Sequence, residues 1–124
     1  MGARAKRRST TAAAALAAVV LLLAHGAAAA AQPRYDVPRG FTRCAAATAW
    51  NGFFKWASVR HASCHRVKRF MRAYARAAAY GPMPQRLRGF HCRIHFWRNA
   101  DGDVYASRHV CSRAQVVIRF YGMV

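Results

Sequence analysis

Glutamate is absent from this 124-residue chain, and aspartate occurs only at Asp36, Asp101 and Asp103. A hydrolase built on paired carboxylates has almost nothing to be made from, and an acidic cage for calcium or magnesium is equally short of ligands. No Cys-x-x-Cys spacing occurs, so neither a zinc knuckle nor a thioredoxin-type redox site is supported. The histidines show no three-ligand spacing, and no internal repeat is evident. The longest apolar run, from Ala12 to Ala24, falls short of the ~20 residues a bilayer span needs.

What is present begins with a leader. Arg4, Lys6, Arg7 and Arg8 precede that apolar run, and the small residues Ala27 to Ala31 suit a signal peptidase. Residues 1–31 read as a cleaved export signal. An uncleaved anchor is the rival, weakened by the short run and by its interruption at His25-Gly26. The 93 residues left make one domain, secreted or extracytoplasmic. All four cysteines, Cys44, Cys64, Cys92 and Cys111, lie in it, and an even number in an oxidising compartment reads as two disulfides. Against 3 acidic residues the chain sets 21 lysines and arginines, a net +18, of which about +14 remains without the leader. Such a balance favours anionic partners, although an Arg- and Ala-rich composition also follows from GC-rich coding.

Residues 32–40, with Pro33, Pro38 and Gly40, read as a flexible lead-in to a domain over 41–124. Asn51-Gly52 is a two-residue turn signal. Placed at a hairpin tip, it sets Cys44 opposite Val59 and within reach of Cys64. The run Ala45 to Ala49 has poor strand propensity and offers a helix instead. Ser63 to Pro82 carries a helix, with Ser63 as cap and Gly81 as left-handed terminator before Pro82. At 100° per residue, Cys64, Val67, Phe70, Met71, Tyr74 and Ala78 form its apolar stripe. His65, Arg69, Arg72 and Arg76 form the opposite stripe and are the candidate anion-binding residues.

Met83 to Arg88, with Pro84, reads as a loop. Asp101-Gly102 marks a second hairpin tip, which places Cys92 directly opposite Cys111 and supports a bridge between them. By strict alternation that pair is hydrogen-bonded. Cys92, Ile94 and Phe96 then share the core face with Tyr105, Ser107, His109 and Cys111, leaving His91, Arg93, His95 and Trp97 outside. Gln115 to Tyr121 alternates as a closing strand. The fold class is α+β: one amphipathic helix on a small antiparallel sheet in the order ββαβββ, held by two disulfides.

Val59-Arg60-His61-Ala62-Ser63-Cys64-His65-Arg66-Val67, then Ala73-Tyr74, Gly89-Phe90-His91-Cys92, Cys111 and Val116-Val117-Ile118 carry a resemblance. The chain resembles a group of small exported actinobacterial two-disulfide proteins. In that pattern a Val-Ser-Cys segment opens a basic helix, an aromatic-x-Cys follows, and a late Cys precedes a final strand. Ala62 stands where the pattern often has Val or Gly. The resemblance spans about Cys44 to Phe120 and implies the pairs Cys44–Cys64 and Cys92–Cys111. It implies a compartment and a fold, and no activity.

The functional expectation is a non-enzymatic binding or accessory module, at the cell surface or outside the cell, for an anionic polymer or membrane surface. It has no cofactor, no catalytic residue, no metal and no specific nucleic-acid motif, and it is expected as a monomer. A cationic membrane-active or antimicrobial protein is the alternative, since arginine with tryptophan suits anionic lipid. A ribonuclease-like enzyme follows, on His91, Arg93, His95 and Trp97. Four residues along a strand separate those histidines by ~13 Å, too far to bracket one phosphorus. Trp50, Trp56 and Trp97 with Phe53 and Phe54 read either as an aromatic platform or, more in keeping with a small core, as buried packing.

Overall fold

The computed structural model describes Gly2 and residues 33–123; the rest of the leader lies outside the described residues. Seven elements follow one another: β1 (Thr42–Cys44), β2 (Phe54–Arg60), α1 (Cys64–Ala79), β3 (Arg86–Leu87), β4 (Phe90–Arg98), β5 (Val104–Arg113) and β6 (Val116–Met123). One antiparallel sheet holds all six strands in the order β1-β2-β6-β5-β4-β3, and α1 lies on one face. The α+β architecture with two disulfides is as the sequence implies. Its order gains one strand, because Arg86–Leu87, expected within a loop, pairs with Phe90 and His91.

The helix begins where a cap is available. Ser63 is extended (φ −84°, ψ 155°), and its hydroxyl accepts the Arg66 N–H at 3.2 Å, satisfying one of the orphan donors of the first turn. Val67, Phe70, Met71, Ala73, Tyr74 and Ala75 are buried on the face toward the sheet. The stop differs from expectation. Tyr80 is the C-cap at φ −114°, and Gly81 is not among the left-handed glycines. Pro82, which has no N–H to extend the ladder, follows directly.

Phe54 sits at the centre of the core, edge-on to Tyr74, His109 and Phe120 at 5.6, 5.3 and 5.4 Å. Phe70 packs on Phe90 at 4.8 Å, closing the core at its other end. Ile118 and Phe120 are buried as the alternation requires, whereas Ile94 is half-buried and Phe96 is 39% exposed beyond the helix's cover.

The first hairpin departs from its expected register, whereas the second keeps the register and changes its tip. At the first, Asn51 and Gly52 both have positive φ, as a two-residue turn needs, and Ala49 pairs with Phe54. Cys44 nevertheless faces Ala57, not Val59, because the chain from Cys44 to Ala47 makes its own turn and takes up two residues. At the second, the tip is the loop Asn99–Asp103. The Gly102 N–H bonds the Asn99 carbonyl at 3.0 Å, and Gly102 is left-handed at φ +87°. A one-residue bulge in β5 between the pairs Arg98–Val104 and Trp97–Ala106 restores the offset, so Cys92 does oppose Cys111. The parity changes, however. The Cys92 N–H points away to the Gln85 carbonyl at 2.7 Å, which makes Cys92–Cys111 a non-hydrogen-bonded pair with Cα atoms 4.0 Å apart.

Cys92–Cys111 crosses β4 and β5, and Cys44–Cys64 ties β1 to the first residue of α1. The sheet's outer face is dressed by residues 33–40, which form neither helix nor strand. Tyr35 packs on Trp56 and Tyr121 at 3.9 and 4.9 Å, the Tyr121 hydroxyl donates to the Arg34 carbonyl, and Asp36 faces Arg119 at 3.8 Å.

A candidate anion-binding groove

Two segments distant in sequence meet at the N-terminal end of α1. The first two turns contribute His65, Arg66 and Arg69, all exposed. Opposite them runs the turn between β3 and β4, where Arg88 (φ +50°) and Gly89 (φ +80°) are successive left-handed residues. Glycine is needed there twice over. The backbone is left-handed, and a Cβ would stand 3.2 Å from the Arg113 Nε, where that side chain crosses the turn to donate to the Arg88 carbonyl at 3.3 Å.

The result is a groove of about 380 Å³ lined by Ser63, His65, Arg66, Arg69, Arg88 and Arg113, floored by Phe70 and Phe90. The Arg66 guanidinium lies over the Phe90 ring at 5.8 Å, a cation–π contact at the floor of the groove. No carboxylate lines the groove. Asp36 is engaged at Arg119, and Asp101 and Asp103 sit in the β4–β5 tip, where their N–H groups bond the Asn99 side chain. Four guanidinium groups therefore converge without a counter-charge, beside the positive end of a helix dipole.

The expected stripe of His65, Arg69, Arg72 and Arg76 is divided by the fold. His65 and Arg69 enter this groove, while Arg72 and Arg76 line a different cleft with Trp50 and Tyr80. Sequence reasoning missed Arg66, Arg88 and Arg113. A signal was there for Arg88, since Arg-Gly between the apolar Leu87 and Phe90 suits a two-residue turn. Arg113 is brought in only by the pairing of β4 with β5.

The remaining candidates scatter. Phe54 is core, Trp50 packs on Phe53 at 5.1 Å on the helix side, and Trp56 and Trp97 lie on the outer face. They form no common platform. His91 borders the concavity beside Arg86–Gly89, whereas His95 packs edge-on against Trp97 at 4.6 Å. One Ser–His pair has hydrogen-bond geometry. The Ser107 hydroxyl lies 2.7 Å from His109 Nε2, and the Tyr74 hydroxyl lies 2.8 Å from Nδ1. His109 is 0% and Ser107 2% exposed, so no substrate reaches them. Burial pushes His109 down to about 4 and raises the Tyr74 phenol, so this chain is neutral and serves the core.

Among the described residues no three His, Cys, Asp or Glu side chains gather as metal ligands, and no helix is long and apolar enough to cross a membrane. No family model, curated protein or solved structure matches this chain. The two disulfides are what the structure shows of the resemblance, and they fit an oxidising, extracytoplasmic compartment.

Proposed function

We propose that this chain is an exported, non-enzymatic binding module that holds an anionic polymer in the groove between α1 and the β3–β4 turn. The convergence of Arg66, Arg69, Arg88 and Arg113 with no carboxylate among them carries the reading. A solvated arginine face gains nothing from bringing guanidinium groups together from three separate elements, because like charges repel. A ligand bearing repeated phosphate or carboxylate groups turns that repulsion into attraction, and arginine's planar fork suits both groups. The leader supports release across a membrane. A non-enzymatic role is supported by the sealing of the Ser107–His109 pair in the core and by the different surroundings of His91 and His95.

The test is salt-dependent binding to a single-stranded homopolymeric oligonucleotide as a polyanion probe. Changing Arg66, Arg69, Arg88 and Arg113 to Gln should leave the fold intact and lower the slope of log K against log salt by about 3, at roughly 0.7 per contact. The control carries the same charge loss on exposed residues elsewhere, with Arg34, Arg39, Arg43 and Arg93 changed to Gln. Equal losses in the two variants would mean that net charge alone binds, and the groove assignment would fall.

A further inference from the structure

The other end of α1 displays what a soluble domain ordinarily covers. Trp50 is 45% and Tyr80 93% exposed, and the two border one cleft of about 310 Å³. Its walls include Ala49, Ala75 and Ala79, and Arg72 and Arg76 line it as well. The display of Trp50 is built in. It is left-handed at φ +53°, its carbonyl accepts the Phe53 N–H at 3.0 Å, and paired Ala49–Phe54 hydrogen bonds of 3.1 Å clamp the turn behind it. Tyr80 is the helix C-cap, and its side chain stands in solvent.

Amphipathic rings beside a shallow apolar cleft, flanked by arginines one helical turn apart and with no carboxylate, match the chemistry of the headgroup boundary of an anionic bilayer. We propose that this end of the domain is a peripheral anchor for an anionic lipid surface. Trp50 and Tyr80 enter the headgroup boundary, and Arg72 and Arg76 pair with lipid phosphates. The site is separate from the groove. The two linings share no residue, the groove taking α1 residues up to Phe70 and the cleft those from Arg72 to Ala79, so polymer and membrane meet different side chains. Contact is interfacial, so vesicles should not leak, which separates this anchoring from membrane-active killing.

Co-sedimentation with vesicles of phosphatidylcholine containing about one-third phosphatidylglycerol, against pure phosphatidylcholine, tests it. The protein should pellet with the anionic vesicles, and Trp50→Ala with Tyr80→Ala should abolish this while oligonucleotide binding persists. Arg72→Gln and Arg76→Gln should each weaken vesicle binding about fivefold, and groove substitutions should weaken it less per charge. Because Trp50→Ala also removes the Trp50–Phe53 contact at its turn, Tyr80→Ser alone, at a side chain that can be removed without opening the core, must also weaken binding. Unchanged binding by Tyr80→Ser, equal losses per charge at groove and cleft, or equal binding to pure phosphatidylcholine would each overturn the proposal. Failure of oligonucleotide binding with vesicle binding intact would count against the groove alone.

Discussion

Lowering the pH from about 7 to about 4 should remove roughly 3 kcal/mol of stability through one side chain, His109. Its ring is fully buried, stacked on Phe120 at 4.8 Å and edge-on to Phe54 and Tyr74. Only the neutral Ser107 and Tyr74 hydroxyls meet its nitrogens, and no carboxylate faces it. Burial therefore depresses the imidazole from 6.5 to about 4. Between those values the unfolded chain holds a proton on this residue that the folded chain does not. Stability thus rises with pH across the window and falls on acidification from about 6.5 to about 4, levelling below it. At about 1.4 kcal/mol per pH unit, the displacement sets the ~3 kcal/mol ceiling. Urea unfolding of the disulfide-intact protein at about pH 7, 5.5 and 4 measures it, with His109→Gln as the comparison. That variant should be less stable throughout, because it disturbs two buried hydrogen bonds, and its pH dependence should be shallower by about the same ~3 kcal/mol. Parallel curves for the two proteins would refute the assignment, since the acid sensitivity would then come from elsewhere.

Two further substitutions probe the packing. Phe70→Ala, which empties the contact between α1 and Phe90, should cost about 3–5 kcal/mol in urea unfolding; a loss under about 1 kcal/mol would mean the helix packs by another face. Gly122→Ala should destabilise by about 1–3 kcal/mol, because its Cβ would stand 2.6 Å from the Ser107 Oγ and 2.8 Å from the Phe53 ring; a neutral result would show that these two side chains give way without cost.

Local signals were legible where one rule dominates. Ser63 announces the helix, and the 100° periodicity picks out Val67, Phe70, Met71 and Tyr74 as its buried side. The Cys92–Cys111 pairing was legible for a subtler reason. The tip is a five-residue loop where a two-residue turn was expected, yet the bulge in β5 returns the offset, so the pairing survives while its hydrogen-bond parity does not. Near Cys44 nothing compensates for the added turn, and the register moves by two. The place of β6 beside β2 depends on chain closure across distant segments, which no local pattern encodes. The groove was legible in part. Helical periodicity gave His65 and Arg69 but not Arg66, the Arg88-Gly89 turn carried a local signal, and Arg113 reaches the groove only once β4 and β5 have paired.

The disulfides bear on how such a groove persists. Guanidinium groups converging without counter-charges push apart, by about 1 kcal/mol per pair at 4 Å in water and more where solvent is thinner. A domain this small has little core to resist that push, yet both covalent ties lie beside the groove. Cys64 precedes His65 and Arg66, Cys92 lies two residues beyond Phe90, and Cys111 two before Arg113. Each wall is thereby braced at its root, α1 to β1 and β4 to β5, while Phe70 packed on Phe90 at 4.8 Å joins the two walls across the floor. Spacing set in advance leaves less ordering to be done when a polyanion arrives, which is where preorganised sites gain affinity. On the proposed function, bridges at the roots of both walls keep the arginines poised for a ligand as well as keeping the chain folded.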